Sequence, residues 1–197
     1  MTGASSRPET RTATSRRTDT DRLGRVAGPA LVVSGLLAAV GVAFLIAMFV
    51  AFGVGDRAAG LELGLINDVL VLVSFPLVVP AMLVIRRRLR PEAPLAIDVA
   101  TAVGLTADAA IIVLQALLIR GDLSFEEQIG WVSVAFVAFD VWLIVVGWFG
   151  SRSGLLPGGV RMGLVGAPYV GSPVWALWAA RRLATEHDPT PSETAAR

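Results

Sequence analysis

Two aspartates in the middle of long apolar stretches are the residues of this sequence best placed to do chemistry. Asp108 lies eleven residues after Ile97, where one stretch begins, and Asp140 lies eleven residues after Ile129, where the next begins. Both are therefore about 16 Å from the start of their helices, at about 1.5 Å per residue. On antiparallel neighbours the two carboxyl groups occur at similar depth. If they face each other, they could share one proton, because two close carboxylates do not both ionise cheaply.

Further polar residues extend this candidate proton or cation site. Thr101, Asp108 and Gln115 recur at intervals of seven, which places them on one side of a helix. Tyr169, the only tyrosine, falls near the middle of a later apolar segment and could donate to a carboxylate. Two interpretations stay open. Asp108 and Asp140 form a proton- or cation-responsive site, or they are neutral carboxyl groups that hold helices together by hydrogen bonds.

A second polar pair, Asn67 and Asp68, lies near one end of an earlier apolar stretch. These two side chains could line an outer mouth, or Asp68 is simply a hydrated acid at the membrane interface. Pro76 and Pro80 follow in the same stretch and predict a bend in its helix.

The residue types that are missing exclude most enzyme chemistry. The chain has no cysteine, and its single histidine is His187, close to the C-terminus. This composition excludes thiolate catalysis, bis-histidine haem ligation and a Ser-His hydrolase. We therefore expect no enzymatic activity, no catalytic residue, no cofactor and no metal site.

Composition and the lengths of the apolar stretches predict an all-α, polytopic membrane helix bundle. Of the 197 residues, 54% are hydrophobic and 17% are charged, and a helix needs about 20 apolar residues to cross a bilayer. About five transmembrane helices are expected between a disordered, Arg/Ser/Thr-rich cytoplasmic tail at 1–25 and a short polar tail at 183–197. The predicted bundle covers 26–182, with spans at 26–54, 64–85, 97–119, 129–150 and 162–180.

The placement of arginine predicts the orientation of the bundle. All 17 basic residues are arginines, six of them in the first 25 residues and four in the second linker, at Arg86, Arg87, Arg88 and Arg90. Basic segments stay in the cytoplasm, so the N-terminus is expected there, in the plasma membrane of a bacterium. The four linker arginines are interpreted as a topology anchor that also attracts anionic lipid headgroups. The expected partner is thus the lipid bilayer and not a nucleic acid.

The last apolar segment conflicts with this rule. Five spans place Arg181, Arg182 and the C-terminus outside, against their charge. Pro168 and Pro173 could kink this segment or divide it into a re-entrant pair. We expect a kinked full crossing, since two short arms would not span separately.

Residues 147–183 carry a recognisable pattern: a helix ending in Gly-Trp, then Arg-Ser-Gly-Leu-Leu-Pro, then a glycine-rich helix that closes in Pro-Val-Trp-x-x-Trp-x-x-Arg. This pattern, with Asn-Asp-Val-Leu at 67–70, resembles a group of uncharacterised bacterial multi-pass membrane proteins that carry a domain of unknown function. The resemblance implies a membrane bundle, with six spans in many relatives, and no known activity. Absence of lysine with abundant alanine and arginine is typical of a GC-rich genome, such as an actinobacterial one.

The expected function is that of a non-enzymatic membrane scaffold, regulator or interaction protein. The alternative is a proton-coupled carrier or ion-conducting protein that uses Asp108 and Asp140. No internal repeat of the kind that many transporters contain is apparent.

Overall fold

The computed structural model describes residues 9–166 and 171–185, which form α-helices and one short 3-10 turn joined by short loops. The helices are α1 (Glu9–Gly53), α2 (Arg57–Ser74), α3 (Val79–Leu89), α4 (Pro94–Arg120), α5 (Phe125–Arg152), α6 (Gly159–Gly166) and α7 (Ser172–Thr185). The all-α bundle expected from the sequence is confirmed.

Four stretches of helix in this part of the chain are long and apolar enough to cross a membrane: Leu23–Gly53, Arg57–Leu89, Pro94–Arg120 and Phe125–Arg152. Their outward faces carry large apolar side chains, such as Phe49 and Val137, which are 63% and 62% exposed. A soluble protein rarely exposes so much apolar surface. The chain is therefore a membrane-embedded, multi-pass protein, with four such helices where about five were expected.

Local sequence explains where the long helices begin and end. The Ser124 side chain accepts a hydrogen bond from the Glu127 amide, and the Glu127 side chain accepts one from the Ser124 amide, a capping box that starts α5. Gly121 ends α4 in the left-handed region at φ 77°, a conformation that glycine adopts without cost. Between α2 and α3, residues Phe75–Leu77 form the 3-10 turn, so the α-helix is interrupted at Pro76, in the stretch where a bend was expected.

The N-terminal segment differs from the prediction. Residues 1–25 were expected to be a disordered tail, whereas α1 begins at Glu9 and continues without interruption to Gly53. The first turn of a helix is the costly one, and later residues add to an existing helix at little cost. The apolar part of α1 can therefore extend a helix into the polar sequence before it.

The segment at 162–180 is not the single kinked crossing that we expected. α6 has 8 residues and α7 has 14, lengths of about 12 and 21 Å, which are short of the ~30 Å hydrocarbon core. A Cβ on Gly163 of α6 would lie 2.9 Å from the carbonyl oxygen of Leu143. The ring of Trp175 in α7 contacts that of Trp142, the residue before Leu143, at 5.7 Å between centroids. Because α6 and α7 both contact α5 at the level of residues 142 and 143, they lie at the same depth in the bundle and do not cross it one after the other.

The two ends of the bundle differ in charge. We call the end with Arg86, Arg87, Arg88 and Arg90 the arginine end, and the end with Gly121–Ser124 the far end.

The helices α4 and α5 pack against each other, α1 packs on α2, α3 and α7, and α4 also packs on α2 and α3. This arrangement surrounds the inward face of α4 with other helices.

Candidate functional site

The inward face of α4 carries three polar residues among apolar ones. Thr101, Asp108 and Gln115 are 1%, 2% and 5% exposed, so the residues spaced by seven all lie in the interior. Gly104 lies between Thr101 and Asp108 on this face and allows α5 to come close. A Cβ on Gly104 would lie 2.6 Å from Cγ of Trp142 and 2.8 Å from Cε of Met82.

Three buried polar atoms, on either side of the contact of Gly104 with Trp142 and on Trp142 itself, have no hydrogen-bond partner among the described residues. They are Oγ1 of Thr101, Oδ1 of Asp108 and Nε1 of Trp142. Each lost hydrogen bond of a buried polar group costs about 1–3 kcal/mol. Such groups are rare in native proteins, and each calls for an explanation. We refer to Thr101, Asp108 and Trp142 as the polar cluster.

Asp108 and Asp140 occur at similar depth but are not brought together. From the contact of Gly104 with Trp142, Asp108 lies four residues and Asp140 two residues toward the far end. This difference of two residues corresponds to about 3 Å along the axis. Asp140 and Trp142 are two residues apart, so their side chains are rotated by about 200° relative to each other around the axis of α5. Since Trp142 points toward α4, Asp140 points away from it. Asp108 is buried whereas Asp140 is half-buried, and a shared proton has no support in this geometry.

Asp140 instead belongs to the side of α5 that faces α6. Cβ atoms on Gly159 and Gly163 would lie 2.6 Å and 2.9 Å from the carbonyl oxygens of Gly147 and Leu143. Asp140 is the next position on that side, one turn toward the far end. Tyr169, the proposed donor to a carboxylate, lies outside the described residues.

Gln115 has a specific partner that the sequence analysis missed. The amide nitrogen of Gln128 donates to Oε1 of Gln115 at 3.1 Å, and both side chains are buried. This bond joins α4 to α5 near the far end, and it is a structural use of a residue that was proposed to support the site. The signal in the sequence was weak, because a glutamine at the start of an apolar run looks interfacial.

At the arginine end, Asp98 binds two residues of the arginine cluster. Its Oδ1 lies 2.8 Å from Nε of Arg86 and its Oδ2 lies 3.1 Å from Nε of Arg90. Arg86 lies in the last turn of α3 and Arg90 directly follows this helix. The two side chains are four residues apart and therefore lie on one face. Because these side chains are exposed to solvent, the pairs contribute little to stability. They fix α3 against α4 and neutralise part of the cluster.

The two residues of the candidate outer mouth, Asn67 and Asp68, differ in their exposure. Asn67 is 6% exposed and faces the interior, whereas Asp68 is half-buried. The amide nitrogen of Asn67 lies 3.5 Å from Oδ1 of Asp68, at the limit of a hydrogen bond. The pair is therefore not directed together into one opening.

Aromatic rings form a continuous row beside the polar cluster. Phe75 contacts Phe136 and Phe139 at 5.6 and 5.5 Å between centroids, Phe139 contacts Trp142 at 5.4 Å, and Trp142 contacts Trp175 at 5.7 Å. The tilted and edge-on arrangements are those that aromatic pairs favour. Trp142, which the sequence places near mid-membrane, thus links α4, α5 and α7 in the core.

A shallow groove of about 640 Å³ runs along the outer surface between α4 and α5. Its lining is almost wholly apolar and includes Ala102, Thr106 and Ala110 of α4 with Trp131 and Ala138 of α5. Ala102 and Thr106 are exposed, so the groove opens toward lipid. Sequence reasoning did not find this surface, although the four-residue spacing of small side chains was a signal.

Comparison with known proteins adds no identity: no family model, curated protein or solved structure matches the chain. In the described part of the chain, no group of three or more His, Cys, Asp or Glu residues is placed to hold a metal ion.

Proposed function

We propose that this chain is a non-enzymatic, multi-pass protein of the bacterial plasma membrane that acts as a scaffold or interaction protein by associating with itself. The observation that carries the proposal is the groove between α4 and α5 with small side chains along one edge. Membership of the uncharacterised bacterial family suggested by residues 147–183 is part of this proposal.

Small side chains at Ala102, Thr106 and Ala110 follow one another at intervals of four on α4. In lipid no hydrophobic force draws helices together, so association depends on close packing at such small-xxx-small stripes. A stripe of this kind fits a copy of itself, because a two-fold axis along the membrane normal brings the same face of α4 from both chains together. The proposed occupant of the groove is therefore α4 of a second copy.

Counting of photobleaching steps tests this association for the fluorescently labelled protein in dilute liposomes. Thr106→Leu and Ala110→Leu fill the groove and should shift wild-type pairs to single copies. The matched control is Val73→Leu, which enlarges an exposed side chain on α2 that does not line the groove. Single copies in the wild type, or pairs that persist in both groove variants, would refute self-association through α4.

We also propose that both termini lie in the cytoplasm. The arginine end then faces inward, as basic segments prefer, and its cluster contacts anionic headgroups of the bilayer. With four crossing helices and α6 and α7 in the same half of the bundle, Arg181 and Arg182 also fall on the inner side. A reporter enzyme that works only in the cytoplasm should be active when it is fused after Arg197. Activity of a fused reporter that works only in the periplasm would contradict this topology.

A second candidate, proton-coupled transport, is favoured by the buried position of Asp108 and its unpartnered oxygen. Intramembrane carboxyl groups often belong to proton or ion pathways. The geometry supports a site built on Asp108 alone, since Asp140 points away from α4. In liposomes, a pH-driven solute flux should then be abolished by Asp108→Asn and retained in Asp140→Asn. Equal loss in both variants, or no flux in the wild type, would reject this candidate.

A further inference from the structure

Arg152, the last residue of α5, is held by an aromatic ring instead of a carboxylate. Its guanidinium carbon lies 5.3 Å from the centre of the Trp148 ring, one turn earlier on the same face of the helix. No carboxylate of the described residues pairs with Arg152, whereas Asp98 binds Arg86 and Arg90. A guanidinium stacks on a ring through its flat face, so the N–H donors along its edge remain available for an anion.

The Trp148–Arg152 pair lies at the depth expected for a membrane interface. The contact of Gly104 with Trp142 gives a common reference level on α4 and α5. Trp148 and Asp98 are each six residues from this level toward the arginine end, a distance of about 9 Å. Because Asp98 forms its ion pairs at this depth, Trp148 lies at a polar level, as tryptophans at a membrane interface do. Arg152 is four residues, about 6 Å, farther out.

On the membrane side of this pair, α5 presents an apolar stripe to lipid. The members of the stripe recur at intervals of three or four residues and are all exposed: Val137, Val141, Ile144 and Trp148. Arg152 continues the same spacing by one more turn. The stripe is about 16 Å long, which is about half of the ~30 Å hydrocarbon core. The acyl chains of one leaflet therefore cover the stripe when their headgroups lie at the level of Arg152.

We propose that Trp148 and Arg152 form a binding site for one anionic phospholipid, whose acyl chains lie along the stripe. The phosphate accepts hydrogen bonds from the guanidinium, which presents paired N–H donors that match phosphate oxygens. An anionic headgroup is favoured over a zwitterionic one, because an ammonium group would bring a second positive charge beside Arg152. Trp148 is a positioning residue, since its ring holds the guanidinium at the headgroup level.

This site deepens the proposed contact of the arginine end with anionic lipid by naming one place and one ligand. It does not depend on self-association along α4. The Arg86–Arg90 cluster is unchanged in every variant of the test below, so failure of the site and failure of the general attraction to headgroups are distinguishable.

Native mass spectrometry of the full-length protein in detergent tests the site by counting bound lipids during titration with phosphatidylglycerol or phosphatidylethanolamine. The first phosphatidylglycerol should bind more tightly than the first phosphatidylethanolamine. Arg152→Gln should weaken this first binding about fivefold, the usual effect of one cation near anionic lipid. Trp148→Leu keeps the charge and an apolar surface, and it should weaken the binding about two- to fivefold. The matched control is Arg120→Gln, which removes the same charge at the far end, where Arg120 is paired with Asp122, and it should leave the first binding unchanged.

Four outcomes would overturn the proposal. Equal weakening in Arg152→Gln and Arg120→Gln would mean that lipid responds only to the total charge. Equal affinity of the wild type for the two lipids would mean that the headgroup charge is not recognised. Unchanged binding in Trp148→Leu would mean that the ring does not position the guanidinium. Arg152→Lys keeps the charge without the paired donors and should recover only part of the binding, so wild-type affinity in this variant would refute recognition of the phosphate by the guanidinium.

Discussion

The close approach of α4 and α5 at Gly104 makes a quantitative prediction about stability. In Gly104→Ala the new methyl carbon would lie 2.6 Å from Cγ and 2.9 Å from Cβ of Trp142. Cβ of Trp142 is fixed by the backbone of α5, and Cγ moves only if the fully buried indole changes its rotamer, whereas Cε of Met82 ends a flexible side chain. Overpacking of a dense core costs about 1–3 kcal/mol. Alanine also favours a helix over glycine by about 1 kcal/mol, so the net loss of stability should be about 0–2 kcal/mol.

A matched substitution separates the two effects. A Cβ on Gly130 in α5 would meet no atom within 4 Å, so Gly130→Ala should raise the free energy of unfolding by about 1 kcal/mol. The difference between the two variants then isolates the steric cost, about 1–3 kcal/mol. Unfolding in mixed micelles with increasing SDS, followed by tryptophan emission, measures both. Equal changes in the two variants would refute the close packing of Gly104 on Trp142.

The remaining predictions concern bonds between and within helices. Gln115→Leu leaves the Gln128 amide without its partner and should lower the free energy of unfolding by about 1–3 kcal/mol. The double variant with Gln128→Leu should recover most of this loss, because neither polar group is then left without a partner. No recovery in the same SDS titration would contradict the bond. Ser124→Ala removes the capping box and should cost about 1 kcal/mol, with the Gly130→Ala protein as a reference for change in α5. Asp98→Asn should change the free energy of unfolding little, but it should increase the enrichment of labelled anionic over neutral lipid around the protein reconstituted in mixed vesicles. Unchanged enrichment would show that the cluster does not contact headgroups.

The two proposed roles of the protein make different demands on the same helix. Self-association uses the outer face of α4, at Thr106 and Ala110, whereas proton coupling uses its inner face, at Asp108. Because these faces are on opposite sides of one helix, substitutions on one should leave the other intact. The photobleaching and flux measurements are therefore independent, and either role can fail without deciding the other.

The amino-acid sequence was sufficient for the fold class and for the positions of four long helices. Apolar stretches of this length must satisfy their own backbone groups in lipid, which only helices do. Spacing by seven also placed Thr101, Asp108 and Gln115 on one face, since this follows from the geometry of a single helix. These predictions depend on neighbours along the chain, and such information is contained in the order of residues.

Only the tertiary structure decided which groups meet. Asp108 and Asp140 have the predicted depth, but the rotation of α5 is set by Trp142 packing on Gly104, and it turns Asp140 away. The segment that begins at Gly159 forms two short helices, because α6 packs closely on α5 and α7 packs closely on α1. Rotation and docking of this kind depend on the shapes of surfaces from distant parts of the chain, so hydropathy and spacing in a single sequence do not determine them.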